Sequence, residues 1–94
     1  SKSRVLLSPR NWRGRSVGMK SFGVIGGGAW GTALAQTLAL SGRPVLLWAR
    51  EADVVDDINA RHVNRAFLPG IALEPAIRAT DRLEEIAGSD VILS

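Results

Sequence analysis

Glycines crowd one short segment of the chain, at a spacing that could bring a phosphate group against the backbone. They follow the pattern G-x-G-x-x-G at Gly26, Gly28 and Gly31, and Gly27 adds a fourth glycine to the same turn. Between a strand and a helix, the first glycine allows a tight turn, the second lets a phosphate approach the backbone, and the third lets the helix pack closely. The N–H groups and dipole at the start of the helix favour an anion there. The spacing predicts a site for the diphosphate of a dinucleotide, with a purely structural glycine turn as the alternative.

The sequence around these glycines supplies the strand and helix that the site requires. Residues 21–25 form a short apolar run and predict the first strand, and residues 29–40 show the helical pattern that follows it. Ser41 and Gly42 predict the end of this helix, with Gly42 suited to a left-handed cap. Residues 45–48 are continuously apolar, which is typical of a strand covered on both faces of a parallel sheet. The resulting β-α-β unit provides the confirming context for the glycine pattern.

The rest of the chain continues the alternation of strands and helices. We predict a helix over residues 52–61, an irregular segment over 62–75, a strand over 76–79, a short helix over 81–87 and a strand over 90–94. The spacing of Asp81 and Glu84 predicts a capping box at the start of the short helix. The order β-α-β-α-β-α-β indicates an α/β fold, namely a partial Rossmann-type doubly wound parallel sheet that is truncated at its fourth strand.

Arg50 stands at the end of the second predicted strand, 19 positions after Gly31. In dinucleotide-binding folds this position meets the adenosine ribose. An Asp or Glu there binds the free 2′-hydroxyl of NAD, whereas an Arg can pair with the 2′-phosphate of NADP. Arg50 therefore favours NADP(H). Glu51 could serve as the acidic partner, so NAD(H) stays open, as does a purely solvated role for Arg50.

Charge divides the chain into two parts. The net charge is +3, but residues 1–20 carry +6 without a single acid and residues 21–94 carry −3. We expect residues 1–18 to form a basic, disordered leader and residues 19–94, from Met19, to form the N-terminal part of a dinucleotide-binding domain. Such a leader also has the composition of an organelle transit peptide, which is the alternative. The mildly acidic folded part lacks the basic face that binding to nucleic acid requires.

Composition narrows the class of protein further. The 94 residues suffice for one small domain, and no apolar run is long enough to cross a membrane. The absence of cysteine excludes disulfides and thiolate metal sites, and it suits a cytoplasmic protein. The sequence leaves the oligomeric state open, with a homodimer among the alternatives.

Three separate motifs resemble one enzyme family. The run VIGGGAWGTAL at residues 24–34 resembles the cofactor loop of NAD(P)-dependent glycerol-3-phosphate dehydrogenases, and its tryptophan, Trp30, is more specific than the glycines. The tripeptide WAR at residues 48–50 resembles the end of that family's second strand. The pair IN at 58–59 and the run HVNRAFLPGI at 62–71 are similar to the segment after its second helix. The resemblance covers residues 19–94.

The resemblance implies an activity and a set of cofactor contacts. The family interconverts dihydroxyacetone phosphate and glycerol 3-phosphate with NAD(P)H and feeds phospholipid synthesis. By resemblance, cofactor contacts fall on Ala29, Trp30 and Arg50, although Trp30 could instead only fill space above the sheet. Many members have Ser or Asn in place of Ala29, so contact with the diphosphate would rest on the main chain. Phe67 stands where the family often has Tyr, and we interpret it as a packing residue.

No residue of the chain matches the family's catalytic lysines. The only lysines, Lys2 and Lys20, precede the first predicted strand, and the resemblance implies that the catalytic lysines follow the fourth. His62, the only histidine, is expected to end a helix and not to act as a general acid. We therefore expect this chain alone to be inactive. The alternatives are a segment of another NADP-linked dehydrogenase of a hydroxy or keto acid, and a nucleotide-sensing module without catalysis.

Overall fold

Five strands form one sheet, with helices on its two faces. The computed structural model describes residues 5–7, as backbone, and residues 20–94. In chain order the elements are β1 (Val5–Leu7), β2 (Phe22–Ile25), α1 (Ala29–Leu40), β3 (Val45–Trp48), α2 (Ala52–Arg61), β4 (Ile77–Thr80), α3 (Leu83–Ile86) and β5 (Val91–Leu93). The strand order is β1-β5-β2-β3-β4, and the strands β5, β2, β3 and β4 are parallel to one another.

The four parallel strands confirm the predicted α/β order. The predicted bounds of α1, β3 and α2 are confirmed, and those of the other predicted elements differ by one or two residues, with β4 shifted to Ile77–Thr80. Gly42 has the predicted left-handed backbone, with a φ of 89°, and its N–H donates to the carbonyl of Ala39 at 2.9 Å. The first helix therefore ends as its sequence indicates.

Strand β1 lies within the segment that was expected to be a disordered leader. Val5–Leu7 pairs antiparallel with Val91–Leu93, with Leu6 opposite Ile92. The edge of β5 offers unpaired backbone groups that an extended segment can satisfy, and the disordered leader stays a prediction. The other residues of the expected leader lie outside the described residues, and the boundary at Met19 stays a prediction.

The sheet face beneath α1 and α2 carries the main core. Alternate residues of each strand point to this face, as the period of a strand requires. Fully or almost fully buried members include Val24, Leu47 and Ile77 from the strands and Ala35 and Ile58 from the helices. Alanines on the inner side of α1 let that helix lie close to β2 and β3, which brings its N-terminus to the glycine segment.

The predicted capping box is wrong. Helix α3 begins at Leu83 with Arg82 as its N-cap, and no side chain caps it. The hydroxyl of Thr80 instead accepts the N–H of Arg82 at 3.0 Å, while the guanidinium of Arg82 pairs with Glu84 at 3.2 Å. Glu84 is therefore used in an exposed ion pair and does not reach back to the N-cap.

Candidate functional site: the glycine loop

The glycine loop, residues 26–31, joins the end of β2 to the start of α1. Gly26 has a φ of 122°, a conformation that residues with side chains rarely adopt, and its N–H donates to the carbonyl of Trp48 at 2.9 Å. A β-carbon on Gly31 would overlap the carbonyl oxygen of Gly26 and lie 3.7 Å from Val24. The first helical turn thus packs directly on the loop and on β2, because Gly31 has no side chain.

Gly27 and Gly28 differ in their surroundings. A β-carbon on Gly27 would lie only 2.6 Å from the Cβ of Ala49, so the loop is packed tightly against the residue after β3. A β-carbon on Gly28 would meet nothing within 4 Å. Gly28 therefore faces open space, where a ligand can approach the backbone without displacing any part of the protein.

The N-terminus of α1 is electrostatically suited to an anion. Gly28 is its N-cap, no side chain caps it, and its first turn contains no acidic residue. The N–H of Thr32 donates to the carbonyl of Gly28 at 3.0 Å, which leaves the N–H groups of Ala29, Trp30 and Gly31 ahead of the first helical bond. These groups and the helix dipole place partial positive charge at the mouth of the loop.

A pocket of about 470 Å³ opens in front of the loop. Its lining includes Gly26, Gly28, Ala29, Trp30 and Gly31, and it extends past the end of β5 to Ser94. Trp30 is 61% exposed and so does not fill the core above the sheet. An indole at the rim of this pocket offers a flat apolar surface to a ligand held by the loop.

Two buried polar side chains, absent from the predicted site, hold the loop from behind. Asn64 is 0% exposed, and its Nδ2 donates to the carbonyl of Gly27 at 3.0 Å and to the Oγ1 of Thr32 at 2.8 Å. The Oγ1 of Thr32, also 0% exposed, donates to the carbonyl of Gly28 at 2.8 Å. The only sequence signal was that Thr32 and Asn64 each lie in a run that resembles a known family.

An ion-pair cluster fixes the segment that carries Asn64. Asp57, on the inner part of α2, accepts the backbone N–H of Arg65 at 3.0 Å and its guanidinium at 2.8 Å, and Arg61 lies 3.5 Å away. These bonds to Arg65 lower the pKa of Asp57 below its ordinary value. The cluster borders a separate pocket of about 530 Å³, which is also lined by Asp53 and Asp56. Its three acids outnumber its two arginines, and both arginines already pair with Asp57, so this pocket is less suited to an anion than the glycine loop.

Arg50 lies just beyond β3 and is exposed. It follows Ala49, the residue that packs on Gly27, but it does not line the pocket at the loop. Among residues 20–94 its guanidinium forms no ion pair. Glu51 is the N-cap of α2, and its side chain is likewise exposed and does not cap the helix. Both side chains are therefore available to a ligand at this end of the sheet.

His62 ends α2, as predicted. It adopts the left-handed conformation with a φ of 57°, its N–H donates to the carbonyl of Ile58 at 3.0 Å, and its carbonyl accepts the N–H of Leu73 at 2.8 Å. Phe67 is 40% exposed, so more than half of its surface is covered, and its role as a packing residue stays a prediction. In the described part of the chain, no helix could span a membrane and no three His, Cys, Asp or Glu side chains group around a possible metal position.

Known proteins match the same region of the chain. Two curated relatives are named glycerol-3-phosphate dehydrogenase [NAD(P)+]. That of Paramagnetospirillum magneticum is 65% identical over 75 residues, which cover 80% of this chain and 27% of the relative. That of Sphingopyxis alaskensis is 57% identical over 74 residues, covering 79% and 22%. The chain thus spans about a quarter of the length of these relatives.

Solved structures of glycerol-3-phosphate dehydrogenases also resemble this chain. The crystal structure of glycerol-3-phosphate dehydrogenase from Coxiella burnetii superposes with a TM-score of 0.69 at 35% identity, over 76% of this chain and 22% of that one. The enzyme structure from Dunaliella salina gives a TM-score of 0.70 at 27% identity, over 77% and 15%. Residues 21–94 match the family described as NAD-dependent glycerol-3-phosphate dehydrogenase N-terminus. Because this match extends over most of its length, the chain belongs to that family.

Proposed function

We propose that this chain is the NAD(P)H-binding segment of an oxidoreductase that interconverts dihydroxyacetone phosphate and sn-glycerol 3-phosphate. The observation that carries the proposal is the open backbone at Gly28, at the N-terminus of a helix that has no acid in its first turn. The family match over residues 21–94 supports the same reading. The product would supply phospholipid synthesis, as the resemblance implies.

The residues of the loop fit a dinucleotide diphosphate. In this proposal the diphosphate accepts hydrogen bonds from the N–H groups of Gly28, Ala29 and Trp30, while Gly26 and Gly31 shape the turn that presents them. Gly27 has a packing role against Ala49. Trp30 covers the ligand at the rim of the pocket. When bound, the nicotinamide supplies the hydride, and this segment binds and orients the nucleotide.

We further propose that NADP(H) is preferred over NAD(H). Arg50 is exposed and unpaired within residues 20–94, so its guanidinium can form charge-assisted bonds with a 2′-phosphate. The competing assignment gives Glu51 the ribose 2′-hydroxyl and selects NAD(H). We also propose a cytoplasmic location, which suits a chain without cysteine.

Binding and chemistry can be tested separately. Calorimetric titration of the chain with NADPH and with NADH tests the nucleotide site, and we expect saturable binding of NADPH. For the reaction, residues 20–94 replace the matching segment of the Paramagnetospirillum magneticum enzyme, and oxidation of NADPH is followed with dihydroxyacetone phosphate. Because the rest of the chimera comes from that enzyme, turnover supports a role of this segment in holding NADPH for the proposed reaction, and a folded chimera without turnover counts against that role.

The control for the exchange is the same chimera with Gly28→Ala. It keeps the sheet and helices but places a methyl group where the diphosphate would lie. We expect it to fold and to lose activity through weaker NADPH binding. Binding of NADPH by the chain together with a chimera that folds but reduces none of the substrates tested would favour the nucleotide-sensing alternative.

A further inference from the structure

We infer that Asn64 and Thr32, which are bonded to each other, are positioning residues that aim the N–H groups of Gly28 and Ala29 at the ligand. The inference rests on the proposed function, because it concerns how the same loop binds a dinucleotide diphosphate. Neither side chain lines the pocket in front of the loop, so both would act through the backbone.

Each planar trans peptide of the loop couples the direction of a carbonyl to that of the next N–H group. The C=O of one residue and the N–H of the next belong to the same rigid plane and point in opposite directions. Asn64 draws the carbonyl of Gly27 inward at 3.0 Å, and this turns the N–H of Gly28 outward. Thr32 draws the carbonyl of Gly28 inward with both its hydroxyl, at 2.8 Å, and its own N–H, at 3.0 Å, which turns the N–H of Ala29 outward.

The same bonds remove an electrostatic obstacle. Carbonyl oxygens carry partial negative charge and would repel a diphosphate if the loop turned over. Glycine places little restriction on such a rotation, because it populates many backbone conformations. The inward bonds to Gly27 and Gly28 therefore hold the donor face outward before the ligand arrives.

Asn64 is itself held on every side. Its Oδ1 accepts the N–H of Phe67 at 3.3 Å, and its carbonyl accepts the N–H of Leu68 at 2.8 Å. The next residue, Arg65, is bound by Asp57 on α2. These bonds fix the side-chain amide of Asn64, so it can hold the carbonyl of Gly27 in one orientation.

The test compares Asn64→Asp with a matched change elsewhere. Asn64→Asp keeps the shape of the side chain but replaces the donor that faces Gly27 with an acceptor. We expect NADPH affinity to fall by about tenfold to a hundredfold, as when one charge-assisted hydrogen bond is misaligned. The control is Asn59→Asp, because Asn59 also bonds backbone through both side-chain atoms, to Ala79 at 2.8 and 2.9 Å, yet lies away from the loop. It should lose stability without losing affinity.

A second pair of variants covers the case in which Asn64→Asp does not fold. Thr32→Ser keeps the hydroxyl and should bind NADPH like the wild type, whereas Thr32→Val removes it and should bind more weakly. The amide NMR signals of Gly28 and Ala29 should shift in Thr32→Val before any ligand is added. A folded Asn64→Asp or Thr32→Val variant with wild-type affinity would overturn the inference. If the wild-type chain itself binds neither NADPH nor NADH, the proposed function fails first, and the inference fails with it.

Discussion

The carbonyl oxygen of Gly26 occupies the space that a β-carbon on Gly31 would need. The helix therefore starts in direct contact with the turn that precedes it, and its first N–H groups lie at the mouth of the loop. Gly28, two residues from Gly26, has the opposite surroundings, since nothing lies within 4 Å of its missing β-carbon. Gly31 is therefore required for packing, whereas Gly28 leaves space in which a ligand can lie.

We predict that alanine at these two positions separates stability from binding. Gly31→Ala should lower the free energy of unfolding by about 1–3 kcal/mol or more, because the added methyl group must displace backbone. Gly28→Ala should change it by less than about 1 kcal/mol, as expected for a tolerated N-cap change, and yet weaken NADPH binding by about tenfold or more. Urea denaturation and calorimetric titration measure the two effects. Equal losses of stability in both variants would contradict this division.

The local pattern of the sequence was sufficient for the elements of residues 20–94, for the turn at Gly26 and for the close packing at Gly31. The strand before Gly26 and the helix after it follow from apolar runs and helical periodicity, which depend only on neighbours a few positions apart. The same is true of the left-handed cap at Gly42, since Gly42 ends a periodic segment. Bounds shifted by a residue or two because the ends of strands depend on their partners.

The support behind the loop could not be predicted in this way. Asn64 reaches Gly27 across 37 positions, and no periodicity links the two. The pairing of β1 with β5 could not be predicted from local sequence either, because it joins distant segments and many short extended segments could pair with the edge of β5. Asp81 and Glu84 failed as a capping box for a local reason, because the helix begins at Leu83 with Arg82 as its N-cap and Glu84 pairs with Arg82.

Trp30 should report ligand binding by fluorescence. The chain has three tryptophans, so the variant Trp12→Phe/Trp48→Phe leaves Trp30 as the only strong emitter. The Nε1 of Trp48 is buried without a hydrogen-bond partner, so its replacement removes no observed bond. We expect NADPH to change the emission of Trp30, because a ligand in the pocket would cover an indole that is now 61% exposed. In the matched control, Trp30→Phe with Trp48 retained, the emission should change much less when NADPH is added. An unchanged emission of Trp30 at saturating NADPH would argue against contact between the indole and the ligand.

The ion pairs of Asp57 should make stability depend on pH in the acid range. Arg65 lowers the pKa of Asp57 in the folded chain, whereas the unfolded chain has the ordinary value near about 4. A lowered folded pKa stabilises the fold above that ordinary value, and the contribution disappears as the pH falls through the folded pKa. Asp57→Asn should therefore be less stable than the wild type at pH 7, and the difference should shrink progressively below about pH 4.

Urea midpoints between pH 2 and pH 7 measure this dependence. Asp56→Asn is the control, because Asp56 lies on the same helix beyond its first turn, is exposed and takes no part in these ion pairs. Its midpoint should follow that of the wild type at every pH. A difference between Asp57→Asn and the wild type that stayed constant down to pH 2 would mean that shape, and not charge, explains the effect of the substitution.

Arg50→Gln should reverse the preference between the two cofactors. Glutamine keeps much of the length of the side chain but removes the charge that would pair with the 2′-phosphate. The loss of one or two charge-assisted hydrogen bonds corresponds to a fall of about tenfold to a hundredfold in NADPH affinity. NADH lacks that phosphate, so its affinity should stay close to the wild-type value. The neighbouring change Glu51→Gln distinguishes the two assignments of the ribose, because it should weaken NADH alone if Glu51 binds the 2′-hydroxyl. The wild type, Arg50→Gln and Glu51→Gln are each titrated with NADPH and with NADH. An unaltered affinity for NADPH in Arg50→Gln would show that Arg50 does not bind the 2′-phosphate. Glu51 would then be the candidate for contact with the ribose.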